Sequence, residues 1–194
     1  MRLSLKKKII LLFMLVMILM VAFFATYFYK STSEIMAESE HNLETIVTSA
    51  IAQEIEDNLD FAEANVLSVV ENPTVQKLFA KRDRDALYKY MLPTFESVKD
   101  KFPQAHFHLP DSVSFLRMNK PEKFGDSLKD FRFTVNEANS TKKTVKGIEG
   151  GVSGFGFRAV MPVFYEGNHI GSFEYGKDLE HSFLQSLKES YNGE

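Results

Sequence analysis

The chain has 194 residues, no cysteine and no tryptophan, with 23 Lys+Arg against 26 Asp+Glu and a formal net charge of −3. The absence of cysteine excludes disulfides, thiolate metal sites and cysteine nucleophiles. Setting aside the four cations of residues 1–8 leaves 19 against 26, a balance of −7. That balance argues against nucleic acid and anionic lipid surfaces, both of which demand a basic footprint.

The first element is an uninterrupted apolar run from Ile9 to Tyr29, preceded by Arg2, Lys6, Lys7 and Lys8. At about 1.5 Å per residue such a run spans roughly 31 Å, enough to cross a hydrocarbon core of about 30 Å. The cations on its N-terminal side place residues 1–8 in the cytoplasm and residues 31–194 outside, by the positive-inside rule. A cleaved signal peptide is the competing reading, but its apolar core would be shorter, about 7–15 residues. This run instead leaves through Phe23, Phe24, Tyr27, Phe28 and Tyr29, which suit an interfacial aromatic belt. The expectation is an inner-membrane protein with one span, or its first span, at residues 9–29. The remaining residues fit one domain with a substantial core.

Residues 30–72 read as a long extracytoplasmic helix. Neither glycine nor proline occurs from Ser31 to Asn72, and Leu43, Ile46, Val47, Ala50, Ile51, Ile55, Leu59, Val66 and Val69 recur at helical spacing. So long a helix needs a partner, either the domain that follows or the same helix of a second subunit, so a homodimer is expected. Asn72-Pro73 breaks the helix, with proline placed to start another. A second helix is expected over about Thr74–Met91, followed by Pro93 and a short segment to Lys101.

Beyond Pro103 the period becomes two. Gln104–Leu109 and Val113–Asn119 alternate around the Pro110-Asp111 turn and predict a hairpin. Lys120–Asp126 reads as a loop and Leu128–Lys142 as a helix. Val145–Glu149, Phe155–Phe164 and Ile170–Tyr175 read as strands, with turns at Gly150-Gly151 and Glu166-Gly167-Asn168. A final helix is expected from Lys177 to about Ser190, within a C-terminal segment 177–194 leading toward a second span. Helices followed by a mostly antiparallel sheet predict an α+β fold, not a parallel α/β one.

Two stretches carry a resemblance. They are Phe115–Asp126 and Gly154–Phe164, the latter followed by Gly167–Gly176. Together they resemble single Cache sensor domains, the PAS-like extracytoplasmic modules of bacterial chemoreceptors, sensor histidine kinases and diguanylate cyclases. The resemblance covers roughly residues 45–180 and implies a Cache-like sensor domain at residues 73–176 whose five-stranded antiparallel sheet cups a small ligand, and a first helix lying beside a partner subunit. In the related citrate and dicarboxylate sensor kinases, an arginine before a histidine-proline pair holds the ligand carboxylate. Arg117 matches it, with Asn119 in the histidine's place and Lys120 inserted before Pro121. A second ligand arginine matches Arg158, while the lysine two positions on is Val160 here. One cationic contact fewer implies an organic acid smaller or less charged than a tricarboxylate.

The residues themselves leave alternatives open. Arg117 and Arg158 each sit inside an apolar strand pattern, where a guanidinium must find an anion. That anion is either a ligand or an internal partner such as Glu149, Glu174 or Asp126. His106 and His108 alternate onto one face of a strand as ligand hydrogen-bonding candidates. Zinc would require a third and fourth ligand that the sequence does not indicate, so neither a metal nor a cofactor is expected. Ser153 is a further hydrogen-bonding candidate and Phe155 a candidate pocket wall. No catalytic constellation is visible, and an enzyme is not expected. The reading is therefore the ligand-sensing portion of a membrane signal transducer. The alternative is an anchored structural or assembly protein whose long helix oligomerises and whose sheet binds no solute.

Overall fold

A computed structural model describes residues 4–151, 154–179 and 185. They form the α+β, PAS-like arrangement that the sequence predicts. The chain divides into two compact units, residues 1–52 and 53–194. Helix α1, Leu5–Val70, contributes to both. In the first unit α1 is long and apolar enough to cross a membrane, and Ile9 to Tyr29 present exposed side chains. The range of α1 includes both the expected span at residues 9–29 and most of the helix expected over residues 30–72.

Within the second unit the last turns of α1 bury Leu59, Ala62, Val66, Val69 and Val70, while Leu67 between them stays exposed. Of the apolar stripe read from the sequence, Leu59, Val66 and Val69 are buried by the chain's own domain, while Leu43, Ile46 and Ala50 are exposed. Asn72 ends α1 and starts α2, Pro73–Ala80: its Oδ1 accepts the backbone N–H of Thr74 at 2.9 Å and of Val75 at 3.2 Å. Proline occupies the first turn, where its missing N–H costs nothing. The single helix expected over Thr74–Met91 is instead two. Arg82 takes a left-handed φ of 58°, and Asp83 caps α3, Arg84–Val98, through the N–H of Ala86. Pro93 lies inside α3 and does not end it, with Met91 and Phe95 buried on either side.

The sheet comprises β1 Gln104–His108, β2 Ser114–Arg117, β3 Val145–Gly151, β4 Gly154–Tyr165 and β5 Asn168–Asp178. Its order is β2-β1-β5-β4-β3, and every neighbouring pair is antiparallel. Helix α4, Phe133–Thr141, starts later than the predicted 128–142. Gly150 and Gly151 belong to β3 and do not form a turn; the connection to β4 falls at residues 152–153, outside the described residues. Lys177 and Asp178 close β5 where a helix was expected, and most of that predicted helix lies outside the described residues.

Period-two alternation gives the sheet two unlike faces. Ala105 and Phe107 of β1, Ala159 and Met161 of β4, and Phe173 and Tyr175 of β5 join one core cluster with the buried residues of α1, α2 and α3. Phe107 stands 5.3 Å from the ring of Phe79 and 4.5 Å from that of Phe173, and all three are fully buried. Each contributes about 1.5–3 kcal/mol by burial. The residues between them face the other way: His106 and His108, Arg158, Ser172 and Glu174. All are buried and polar.

Candidate functional site

On that second face lies a cavity of about 190 Å³. Gln104 and His106 of β1, Arg117 of β2, Arg158 of β4 and Gly151 of β3 line it from the sheet. Asn119, Lys120, Lys123, Asp126, Leu128, Phe131 and Arg132, from the segment between β2 and α4, line it from above. Five of these side chains are cationic and one, Asp126, is a carboxylate. The register explains the convergence: Arg117 pairs with His106, and Arg158 pairs with Gly176. A Cβ at Gly176 would collide with the Arg158 guanidinium, so glycine at that position is what lets the arginine lie flat across β5.

Beneath the cavity a chain of ion pairs fixes the guanidinium groups. Glu174, fully buried, accepts Arg132 Nη2 at 2.5 Å on Oε2 and Arg158 Nη1 at 3.3 Å on Oε1. Arg158 Nη1 also donates to Gln104 Oε1, and Gln104 Nε2 donates in turn to Asp178 at 3.0 Å. The Nε of Arg158 is buried without a hydrogen-bond partner. Arg132, at the N-terminus of α4, donates its Nε to Glu149 at 2.7 Å. Glu149 also accepts the backbone N–H and the hydroxyl of Thr134, supplying the cap that α4 lacks from its own N-cap residue. Arg117 is held differently: Asp126 takes both its terminal nitrogens, at 2.7 and 2.8 Å, and Lys123 carbonyl takes one of them at 2.7 Å.

Charge states follow from this arrangement. Burial alone would raise the Glu174 carboxyl, but Arg132 and Arg158 outweigh it and hold it down at about 2. Hydrogen bonding by Arg117 keeps Asp126 below the usual carboxylate range. Burial pushes His108 down to about 3 despite Glu174 nearby, and His106 well below its ordinary value, with neighbouring positive charge adding to the effect. Both imidazoles are therefore neutral. His106 Nε2 shares a 2.8 Å hydrogen bond with Ser114 Oγ, and His108 Nδ1 a 3.1 Å one with Ser172 Oγ.

Of the sequence-predicted residues, Arg117, Arg158, Asn119 and His106 meet at the cavity. His108 lies behind it, its ring 4.1 Å from that of His106. Phe155 is 60% exposed and does not line the cavity; its ring packs over Gly150. Ser153 lies outside the described residues. Sequence reasoning missed Arg132 and underrated Glu174. An acid between Phe173 and Tyr175 is the same signal, a charge inside apolar alternation, that marked Arg158. Donor atoms of His106, His108 and Glu174 lie within 4.8 Å of one another, a third metal ligand that the sequence did not indicate. Both Glu174 oxygens are already bound by guanidinium groups, so a divalent cation would enter a field of like charge. The set suits a hydrogen-bonded polar core better than a metal.

Comparison with known proteins gives the family. Residues 36–192 match the dCache_3 model, the double sensory domain of two-component sensor kinase. Among solved structures, the V. cholerae histidine kinase DctB sensor domain is similar with a TM-score of 0.58 at 12% identity, over 72% of this chain and 56% of that one. The E. coli DcuS sensor domain gives 0.54 at 14%, over 71% and 97%. The sensory domain of the Campylobacter jejuni chemoreceptor Tlp3 (CcmL), with isoleucine bound, gives 0.58 at 15%, over 81% and 64%. The chain thus spans little more than half of the DctB domain. No curated protein sequence matched. With more than half of its length in that family match and a Cache-type sheet, this chain belongs to the dCache_3 family of sensory domains.

Proposed function

We propose that the chain is the extracytoplasmic ligand-sensing portion of a bacterial inner-membrane signal transducer of the chemoreceptor or sensor-kinase type. Residues 9–29 anchor it, residues 30–72 form the stem that pairs two subunits, and residues 73–176 take a small organic acid. One observation carries this reading: a cavity in which, among the described residues, five cations face one acid, above Arg132 and Arg158 held by buried carboxylates. A carboxylate entering it is gripped by guanidinium groups at fixed geometry, with little ordering left to do. Arg158 has an unused donor, and His106 and Asn119 add hydrogen-bonding capacity. The modest volume suits a solute of a few carbons and excludes a peptide.

Binding reaches the stem only through differential affinity for two of its arrangements. The sheet offers the contacts: Lys146 of β3 pairs with Glu56 of α1 at 2.7 Å, and Lys177 of β5 donates to Asn58 at 3.0 Å. The scaffold alternative draws on one fact, that each cavity arginine already has an internal partner. Arg158→Ala separates the two readings. It removes the thermal stabilisation given by the best ligand from a panel of organic acids, amino acids and amines, while the fold persists because Glu174 keeps Arg132. Undiminished stabilisation of the variant would refute the site.

A further inference from the structure

Three arginines line the cavity, and their acid partners differ in one respect. Glu174, partner of Arg158 and Arg132, is fully buried, and Glu149, the other partner of Arg132, is 7% exposed. Neither can leave without stranding a charge away from water. Asp126, partner of Arg117, is different: its side chain is 38% exposed, and among the described residues it is the only carboxylate on the cavity wall. Its backbone is fixed independently of its side chain. The carbonyl of Asp126 accepts Ser114 N–H at 3.0 Å, and Gly125 N–H donates to Ser114 carbonyl at 2.8 Å. The carboxylate can therefore swing into solvent by side-chain rotation while the loop stays in place.

We infer that Asp126 is a resident competitor for the ligand's carboxylate. It holds both terminal nitrogens of Arg117, and an incoming acid replaces it there, oxygen for oxygen. This deepens the proposed function and rests on it. The exchange conserves the number of charge-assisted hydrogen bonds at Arg117, which is paired before and after it. It also raises the concentration of ligand needed for occupancy, since each binding event must first displace an internal anion. A weakly held acid fails to do so. The charge matters to selectivity as well. Asp126 repels a carboxylate held elsewhere in the cavity and favours acids that reach Arg117 itself.

The test is calorimetric titration of the full chain in detergent with acetate and with succinate, at constant ionic strength. Wild type, Asp126→Asn, Asp126→Ala and Arg158→Ala are compared, with circular dichroism confirming the fold. Removing the competitor tightens binding of at least one acid by about tenfold or more in Asp126→Ala, the size of one charge-assisted interaction. Asp126→Asn, which keeps the shape but not the charge, gives a smaller gain. Suppose wild type binds, Arg158→Ala abolishes binding, and neither Asp126 variant gains affinity. The competitor idea is then overturned while the site reading stands. Absence of binding in every folded form, Asp126→Ala included, overturns both, because an uncovered Arg117 must accept a carboxylate.

Discussion

Glu174 is the residue on which the polar face turns, and replacing it with leucine is the sharpest perturbation of the architecture. Among the described residues, the substitution removes the sole acid bound to Arg158 and one of two bound to Arg132. Breaking a buried ion pair from one side costs about 3–5 kcal/mol, because the remaining charge stays uncompensated. Arg132 keeps Glu149 at 2.7 Å, and Arg158 keeps Gln104, so the loss falls at the lower end, about 3 kcal/mol. Glu174→Gln keeps an acceptor for one arginine only and turns its amide NH2 toward the other, so it loses nearly as much as the leucine variant. Urea unfolding of the full chain in nanodiscs, followed by tyrosine fluorescence, reads both values as midpoint shifts at unchanged slope. Multivalent anions restore part of the lost stability in the variant by occupying the space above Arg158. A loss below 1 kcal/mol for the leucine variant would show that the network does not hold the arginines and would refute the reasoning.

Two further outcomes follow from the same geometry. The folded state holds His106 and His108 below their ordinary values, so the unfolded chain binds more protons below about pH 6.5. Stability is therefore fully present above pH 6.5 and falls as pH drops toward 3, by roughly 1 kcal/mol per histidine per pH unit. Urea midpoints measured from pH 7.5 to 5.5 check this, and His108→Asn removes about half of the slope. Gly176→Ala drives a methyl group into the Arg158 guanidinium and costs about 1–3 kcal/mol by overpacking. It also weakens carboxylate binding at least tenfold, whereas a purely structural role for Arg158 would change the unfolding midpoint alone.

Much of the fold is written in local periodicity. The switch from a three-and-four spacing before Asn72 to alternation after Pro103 separated the helical region from the sheet and located all five strands, although one expected helix is two, α2 and α3. Boundaries set by single backbone conformations were not legible. The positive φ at Arg82 that separates α2 from α3 involves no glycine, and Pro93 is absorbed inside a helix. The site divides in the same way. Arg117 and Arg158 stood out as charges in apolar strands and alternation put His106 and His108 on one face, while the meeting of both arginines with His106 is set by the strand order. Arg132 was hidden because its role comes from where α4 begins, a tertiary matter decided by Glu149 capping that helix from β3. The internal pairing of Arg117 with Asp126 was one of several alternatives in the sequence, and only the loop path between β2 and α4 selects it.

The most direct measurement is the position of a bound acid. A crystal structure of the chain with the acid that most raises its melting temperature should show a carboxylate between Arg117 and Arg158, with Asp126 turned toward solvent. An acid bound elsewhere, or a cavity left empty with Asp126 still on Arg117 at saturating acid, would contradict the account.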